Sequence, residues 1–412
     1  MYCPFSYKNC SKKNQKIFAD LGKLPRVDVL LSKNDLKKKE ILKPLKTFFC
    51  KKCFLVQHPI YSNPMDIFVE DYIYYSSTVA SWVNHCRDFV KQSIKRFSLS
   101  KKSFVIEVAS NDGYLLQHYV KRNIPSLGIE PSKGVIKEAK KKGVKSLNDF
   151  YNFKLAKKII KSYPKADLII ANNVLAHIPD LKDFIKSTFF LLKEDGVLSV
   201  EFPHILNLIK KKQFDTIYDE HYFYFSLTSI TSVFNYYDLI IFDVEELKTH
   251  GGSLRVYAKK KKSKKNKISK KINILLNKEK KNKLNKFSGY SSFQKEISLI
   301  KKKTVEFLKK EKSKGKKIIA FGAAHKASTF LNFCKIGNNL ISHVIDDTKI
   351  KIGKFMPVSR IPIVNKNFIS QYKPDIIIIL VWNLKKEVMK KLKYIKKWNG
   401  KFVTFIPNLK IY

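Results

Sequence analysis

Residues 104–131 read FVIEVASNDGYLLQHYVKRNIPSLGIEP, and no other stretch limits so strongly what this chain can fold into. Phe104-Val105-Ile106 is a short apolar run rich in β-branched side chains, the pattern of a buried strand. It ends on Glu107 and passes into Ser110-Asn111-Asp112-Gly113, residues that tolerate tight turns. An amphipathic helix over 114–121 follows, and a second short strand closes at Gly128-Ile129-Glu130. A carboxylate ending the second strand can accept two hydrogen bonds from ribose hydroxyls. The turn lacks GxGxxG, holding Ala109, Asn111 and Gly113 instead, and a carboxylate at Glu107 would repel a pyrophosphate. The ligand implied carries an amino acid part, a ribose, a base and a cation, and no phosphate at this point. S-adenosylmethionine has that composition, with Glu107, Asn111, Gly113 and Glu130 as its predicted contacts. The plainer reading is an ordinary βαβ unit with chance acids.

The surrounding pattern extends the unit into an α/β domain over residues 71–258. Expected strands lie at 104–108, 126–130, 144–147, 167–171, 196–202, 239–244 and 253–258. Helical stretches separate the first six. Only a turn around His250-Gly251-Gly252 separates the last two, which predicts an antiparallel hairpin at the sheet edge. Residues 259–290 are rich in lysine and asparagine and read as a solvated linker running into a charged helix. A second α/β unit is expected over 291–412. It opens with a long helix at 293–312, then a strand at 317–321, the small turn Gly322-Ala323-Ala324 and a helix carrying Lys326 and Ser328 near its start. That is a phosphate-compatible arrangement, although most such turns serve packing alone.

Four of the six cysteines, Cys3, Cys10, Cys50 and Cys53, fall within the first 70 residues, and no secretory signal is seen. Structural disulfides are therefore not expected, and the pairs Cys3-x6-Cys10 and Cys50-x2-Cys53 predict a structural zinc stapling a small domain over 1–70. The alternative is four buried thiols without metal. The net charge of +48 would ordinarily suggest nucleic acid, but only six of the 82 basic residues are arginine, the residue that reads bases by paired hydrogen bonds. Specific nucleic-acid recognition is not expected. The longest apolar run, Ile376–Trp382, is too short to span a bilayer, so no membrane association is expected and the cytoplasm is the predicted location.

Four further clusters could carry chemistry. Asp215-Thr-Ile-Tyr218-Asp219-Glu220-His221-Tyr222-Phe-Tyr224 places acids, a histidine and phenols after the fifth strand, on the ligand side of such a sheet. A helix N-terminus with core aromatics is an equally good reading. Asp71-Tyr72-Ile-Tyr74-Tyr75-Ser76-Ser77 is either a lid whose hydroxyls meet substrate or a connection covering the sheet edge. Asn172 and Asn173 after the fourth strand suit the amino acid part of the cofactor, whereas His177 reads as a helix-start residue without a catalytic role. Asp149 and Phe150, after the third strand, suit an adenine by edge and face.

Together these motifs resemble the nucleotide-sugar C-methyltransferases of deoxysugar biosynthesis. The resemblance rests on Asp20-Leu-Gly22, Cys50-x2-Cys53-Phe-Leu-Val-Gln57, the tyrosine-serine run at 72–77, and Glu107-Val-Ala-Ser-Asn-Asp-Gly113. It continues through Asn172-Asn173-Val-Leu-Ala-His177, Phe214-Asp-Thr-Ile-Tyr-Asp-Glu-His221, His250-Gly-Gly-Ser-Leu-Arg255, Phe321-Gly-Ala-Ala-His-Lys-Ala327 and Val381-Trp-Asn383. It implies a zinc-binding N-terminal domain, a class I methyltransferase sheet of Rossmann-like form and a C-terminal Rossmann-like α/β domain that helps hold a nucleotide sugar. The implied reaction is methylation at carbon 3 of a 4-keto-deoxysugar nucleotide. The implied catalytic residues are His221, Glu220, Tyr218 and one of Tyr72 or Tyr74. The predicted substrate contacts are Ser76, Ser77, His250, Arg255, Lys326 and Ser328. A monomer or homodimer is expected. His325 stands where this family often has a smaller residue. The competing readings are an O- or N-methyltransferase acting on another small molecule, and a lysine-rich zinc protein that binds nucleic acid.

Overall fold

Apolar runs that end on turn residues become the strands of three sheets. The computed structural model describes residues 14–27, 29–59 and 75–412. Cys3, Cys10, Tyr72 and Tyr74 lie outside the described residues.

In the N-terminal unit, β1 (Gln15–Leu24), β2 (Lys43–Cys50) and β3 (Val56–Gln57) form an antiparallel sheet. The central sheet contains β4 (Val105–Val108), β5 (Ser126–Ile129), β6 (Ser146–Leu147), β7 (Ala166–Asn172) and β8 (Leu192–Pro203). All five are parallel. A short strand, β9 (Phe223–Tyr224), leaves this part of the chain and pairs with β3 of the N-terminal sheet. The hairpin of β10 (Leu239–Leu247) and β11 (Ser253–Lys260) returns to the central sheet, where β11 lies antiparallel to β8. The order is β10-β11-β8-β7-β4-β5-β6. The turn between β10 and β11 is too short for a crossover, so antiparallel pairing is the available solution. The chain winds outward from β4 to β6 and then re-enters beside β4 as β7. That reversal opens a crevice beyond the carboxyl ends of β4 and β7, where Glu107 and Asn172 sit.

The C-terminal sheet contains β12 (Ile318–Phe321), β13 (Val344–Ile345), β14 (Ile363–Val364), β15 (Ile376–Ile379), β16 (Lys401–Thr404) and β17 (Lys410–Ile411), in the order β14-β13-β12-β15-β16-β17. It is parallel except for β17. β15 is buried throughout, as its unbroken isoleucine run requires.

The N-terminal unit does not close a core of its own. Phe18 stacks on Phe293 with ring centroids 4.6 Å apart, and Phe49 packs on Tyr290 at 4.3 Å. The Asp20 amide donates to Gln294 Oε1 at 2.7 Å. Phe293 and Gln294 begin the helix Phe293–Ser313, so the first residues of the chain share one apolar cluster with its last third.

Residues 259–290 correct the expectation of a solvated linker. The helix Lys270–Lys281 buries Ile272, Leu275 and Glu279 while its lysines face water. Glu279 is fully buried. It accepts bonds from the Leu227 and Thr228 amides at 2.7 and 2.8 Å and from the Thr228 hydroxyl at 2.6 Å, and it lies 2.7 Å from His204 Nε2. One carboxylate thus caps the helix Leu227–Tyr236 and ties the lysine-rich helix to the methyltransferase sheet. Replacing Glu279 with Leu leaves His204 and the two amides without that acceptor. The expected loss is about 3 kcal/mol in denaturant unfolding, and a loss below about 1 kcal/mol would show that the network is dispensable.

Candidate functional site

The cofactor end of the crevice is built from a loop that ordinary residues rarely adopt. Ala109, Asn111 and Gly113 have φ of 53°, 48° and 73°, so alternate residues of the turn after β4 are left-handed. Gly128 lets this turn press on β5, because a side chain there would come within 2.3 Å of Ser110 Oγ. Glu130 fixes the turn by accepting the Asn111 amide at 2.9 Å and the Ser132 amide at 3.0 Å. Burial pushes the Glu130 carboxyl up to about 7, against the pull of those two amides. Glu107 is fully buried, and neither oxygen has a hydrogen-bond partner of ordinary geometry. Burial raises its pKa well above the carboxylate range, the Tyr114 phenol offsets part of this, and the charges of Asp112 and Glu130 add to it.

The side-chain amides of Asn172 and Asn173 are likewise buried without partners, at the end of β7. Buried polar atoms are normally satisfied, so this concentration marks a place that a polar ligand completes. The group would be held by Glu107 and the two asparagine amides at an amino acid end and by Glu130 at a ribose. Asp149 and Phe150 sit half-buried just past β6, on the side where a base would lie. The residues present therefore fit S-adenosylmethionine.

Ser76 and Ser77 are bonded to the turn after β4. The Ser76 amide donates to Asn111 Oδ1 at 2.9 Å, and the Ser77 hydroxyl donates to the Asp112 carboxylate. Lys142 Nζ stands 3.2 Å from the same carboxylate. The turn Ser76–Thr78 is a strap across the cofactor loop, which corrects its assignment to substrate.

The acidic-aromatic segment 214–224 passes between all three units. Thr216 O lies 3.0 Å from His221 Nδ1. A carbonyl can only accept, so Nδ1 carries the proton and the lone pair resides on Nε2. The Tyr218 hydroxyl donates to that lone pair at 2.8 Å. Burial lowers the His221 pKa well below the usual histidine value, as do neighbouring His177, His325 and His58, while the Thr216 carbonyl works the other way. The ring is therefore neutral at physiological pH.

Glu220, 1% exposed, has two imidazoles near one oxygen: His177 Nδ1 and His325 Nδ1 are each 3.8 Å from Oε2. His177 lies edge-on to His221 with centroids 4.7 Å apart. It belongs to the turn Leu175–His177 after β7. Its position a few residues past the fourth strand was the available signal. Nothing in the sequence pointed from Glu220 to His325, more than a hundred residues away.

The opposite wall is formed by the turn Thr249–Gly251. His250 takes φ 49°, and its Nε2 is buried without a partner. The ring lies edge-on to Trp82 at 5.1 Å. Burial pushes its pKa down to about 4, with the Lys326 charge adding to that. Gly251 must lack a side chain, because one would meet Trp382 at 2.5 Å. Trp382 Nε1 donates to Asp215 Oδ2 at 2.6 Å, Lys326 lies over the Trp382 ring at 4.7 Å, and Lys326 Nζ donates to Asn383 Oδ1 at 3.2 Å. Ser328 is 1% exposed and turned into the packing of the helix His325–Cys334.

Arg255 is not open to a substrate either. Its guanidinium donates to Glu201 Oε2 at 2.7 Å, lies 2.8 Å from His85 Nε2 and stacks over Phe89 at 4.3 Å. Glu201 in turn accepts the Thr249 hydroxyl at 2.7 Å. Burial raises the Glu201 pKa, but the His85 bond, the Arg255 charge and the Thr249 bond prevail and hold it down to about 2. The role of Arg255 is to anchor the His250 turn through Glu201.

Cys50 and Cys53 are both buried at the end of β2, where the Phe54 amide donates to Cys50 O at 2.9 Å and Phe54 takes φ 57°. Such a tight knuckle suits two thiolates of a tetrahedral zinc. Among the described residues no group of three metal ligands is assembled. No helix among them is long and apolar enough to cross a membrane.

A sheet in this order with the antiparallel strand next to the edge, and a polar crevice at the ends of β4 and β7, defines a class I S-adenosylmethionine-dependent methyltransferase. Family models agree along the chain: a putative zinc-binding domain at residues 8–68, a methyltransferase domain at 82–242 and a C-methyltransferase C-terminal domain at 248–407. The zinc-binding match includes Cys10, Cys50 and Cys53 but begins after Cys3. The C-methyltransferase NovU of Streptomyces niveus is 28% identical over 390 residues, covering 95% of this chain and 92% of its own. Along its length the chain is thus similar to C-methyltransferases. Among solved structures, a methyltransferase from Clostridium acetobutylicum is 14% identical, covers 43% of this chain and 91% of its own, and superposes with a TM-score of 0.34. A magnesium protoporphyrin IX methyltransferase from Synechocystis is 16% identical over 43% and 83% of the two chains, with a TM-score of 0.35.

Ribose hydroxyls donate to a carboxylate and favour its charged form, so ligand binding should expel the proton that Glu130 holds near neutrality. S-adenosylhomocysteine should bind more weakly at pH 6 than at pH 8 by calorimetry, and Glu130→Gln should bind weakly and lose that pH dependence. An affinity unaffected by Glu130→Gln would remove the residue from the cofactor site.

Proposed function

We propose that the protein transfers a methyl group from S-adenosylmethionine to carbon 3 of a 4-keto-deoxysugar nucleotide. The observation that carries this reading is the Tyr218–His221 pair, a neutral imidazole whose lone pair is held by a phenol beside a buried carboxylate. A ketone acidifies the adjacent C–H. Removing that proton calls for a base unprotonated at neutral pH and a donor aimed at the oxygen where charge develops. His221 Nε2 takes the C3 proton, and the electron pair moves onto the ketone oxygen. The Tyr218 hydroxyl leaves Nε2 and donates to that oxygen. Carbon 3 would then form its bond to the incoming methyl carbon as the methyl–sulfur bond breaks, the sulfur keeping that electron pair as a neutral thioether. S-adenosylmethionine, when bound, supplies that methyl as an electrophile on a sulfonium.

Tyr72 and Tyr74 remain candidates for a second phenolic donor. His250 and Lys326, close enough for the Lys326 charge to lower the His250 pKa, are the side chains assigned to the nucleotide sugar. The relative's name, a C-methyltransferase, favours carbon over oxygen or nitrogen as the acceptor.

The test is incubation with methyl-labelled S-adenosylmethionine and a panel of 4-keto-6-deoxy nucleotide sugars. Products are read by mass and carbon NMR. A new C–CH3 resonance is expected, whereas an O- or N-methyl product would refute the proposal. His221→Asn should lose roughly 10²- to 10⁴-fold in turnover and still bind S-adenosylhomocysteine. Because the His221 pKa is lowered, its base form persists to lower pH. At saturating S-adenosylmethionine, the acid limb of kcat/KM should therefore lie below the ordinary histidine value of 6.5; a limb above it would point to another base.

The same reading assigns a structural zinc to Cys3, Cys10, Cys50 and Cys53, supported by the knuckle at Cys50–Cys53 and by the family match. Elemental analysis should find a single zinc per chain, lost in Cys50→Ser. A fully active, zinc-free wild type would refute it.

A further inference from the structure

We propose that His325 is a positioning residue for Glu220, contributed by the C-terminal domain, so that the proton-transfer array is complete only with that domain seated on the catalytic segment. The inference rests on the reading of residues 218–221 as the proton-transfer site. His325 is the first residue of the helix His325–Cys334. Its Nδ1 lies 3.8 Å from Glu220 Oε2, matching the 3.8 Å of His177 Nδ1 from the same oxygen. Its ring also stands edge-on to Tyr218, with centroids 5.7 Å apart and planes at 77°. One carboxylate oxygen therefore has an imidazole of the methyltransferase sheet and an imidazole of the C-terminal domain in its shell, and the second imidazole also walls the phenol.

The position of His325 is not an accident of a mobile side chain. One turn further along the same helix, the Thr329 hydroxyl donates to Ile217 O at 3.3 Å. Phe330 and Phe333 pack on Phe214 with centroids 5.9 and 4.9 Å apart. Trp382 from the same domain donates to Asp215. The helix is docked along the catalytic segment at both ends of that segment's bend, which fixes where its first residue falls.

Chemically, a carboxylate that is 1% exposed must be stabilised by neighbouring N–H groups, and the direction of those groups sets its orientation. Among the described residues, the titratable groups around the segment include His177 from the β7 side, Asp215, Tyr218, Asp219, His221, Tyr222 and Tyr224 on the segment itself, His325 and Lys326 from the C-terminal helix, and His58 and Arg26 from the N-terminal unit. His325 Nδ1 and His177 Nδ1 each stand 3.8 Å from Glu220 Oε2.

The test compares His325→Ala with His325→Asn in the full chain. Asparagine keeps an N–H donor where Nδ1 stood, and alanine removes it. In the ligand-free protein, the Glu220 carboxyl midpoint, followed by carbon-detected NMR, should rise by about 0.5 pH or more in His325→Ala and return toward wild type in His325→Asn. On any nucleotide sugar that the wild type methylates, kcat should fall roughly tenfold or more in His325→Ala, with KM moved less than about threefold and substantial recovery in His325→Asn. An unmoved Glu220 midpoint overturns the proposal whether or not any sugar turns over. An unchanged kcat overturns it as well. A moved midpoint in a protein that methylates none of the panel upholds the His325 contact and discards the sugar reading instead.

Discussion

The segment 214–224 is the constraint on which the rest of this molecule depends. It is too short to fold by itself and too polar to bury without partners, and each unit of the chain supplies some of them. The N-terminal sheet takes its last two residues as a strand, Val56 opposite Tyr224 and Gln57 opposite Phe223. The same unit sends the Val27 amide to Asp219 at 3.3 Å and the His58 ring to Tyr218 O at 3.3 Å. The methyltransferase sheet supplies His177, and the C-terminal domain supplies Trp382, Thr329 and His325. A loop held from three sides keeps its rotamers, and pre-set geometry is what proton abstraction from carbon demands. This also gives the small N-terminal unit a purpose beyond its own stability: it forms one wall of the clamp.

Two buried carboxylates with structural duties are satisfied: Glu279 by two amides, a hydroxyl and His204, and Glu201 by Arg255, His85 and Thr249. Polar groups at the crevice are not: Glu107, Asn172 and Asn173 are buried with side-chain atoms lacking partners. The protein tolerates that cost, together with left-handed Ala109 and Asn111, at the place where a ligand would relieve it.

The charge of the chain bears on the same division. Lysine covers the surface, yet Arg96 and Arg255 stand together beside β10 and β11. Arg96 joins Asp243 at 2.6 Å and Glu245 at 3.4 Å, and Arg255 joins Glu245 at 3.4 Å and Glu201 at 2.7 Å. Both lie over aromatic rings, Tyr257 and Phe89. A planar fork that can stack and bond two carboxylates at once cannot be replaced by an ammonium. Two of the few arginines are found where that geometry is used, which agrees with reading the lysines as solvated cover.

The positions of the strands, the acids ending β4 and β5, the hairpin at His250 and the acidic-aromatic segment were legible from the chain alone, because each is a local pattern of a few residues: a β-branched run, a turn, an alternation. Glu107 and Glu130 could be placed at one crevice because a parallel winding brings successive strand ends together. Tertiary packing decided what no local pattern encodes. It turned Ser76 and Ser77 onto the cofactor loop, because Asn111 and Asp112 offered acceptors there. It withdrew Arg255 and Ser328 into the interior, and it folded the lysine-rich stretch onto the sheet through Glu279. It also brought His177 and His325 to one oxygen of Glu220, since contacts between units depend on where whole helices dock and not on the spacing of residues along the chain.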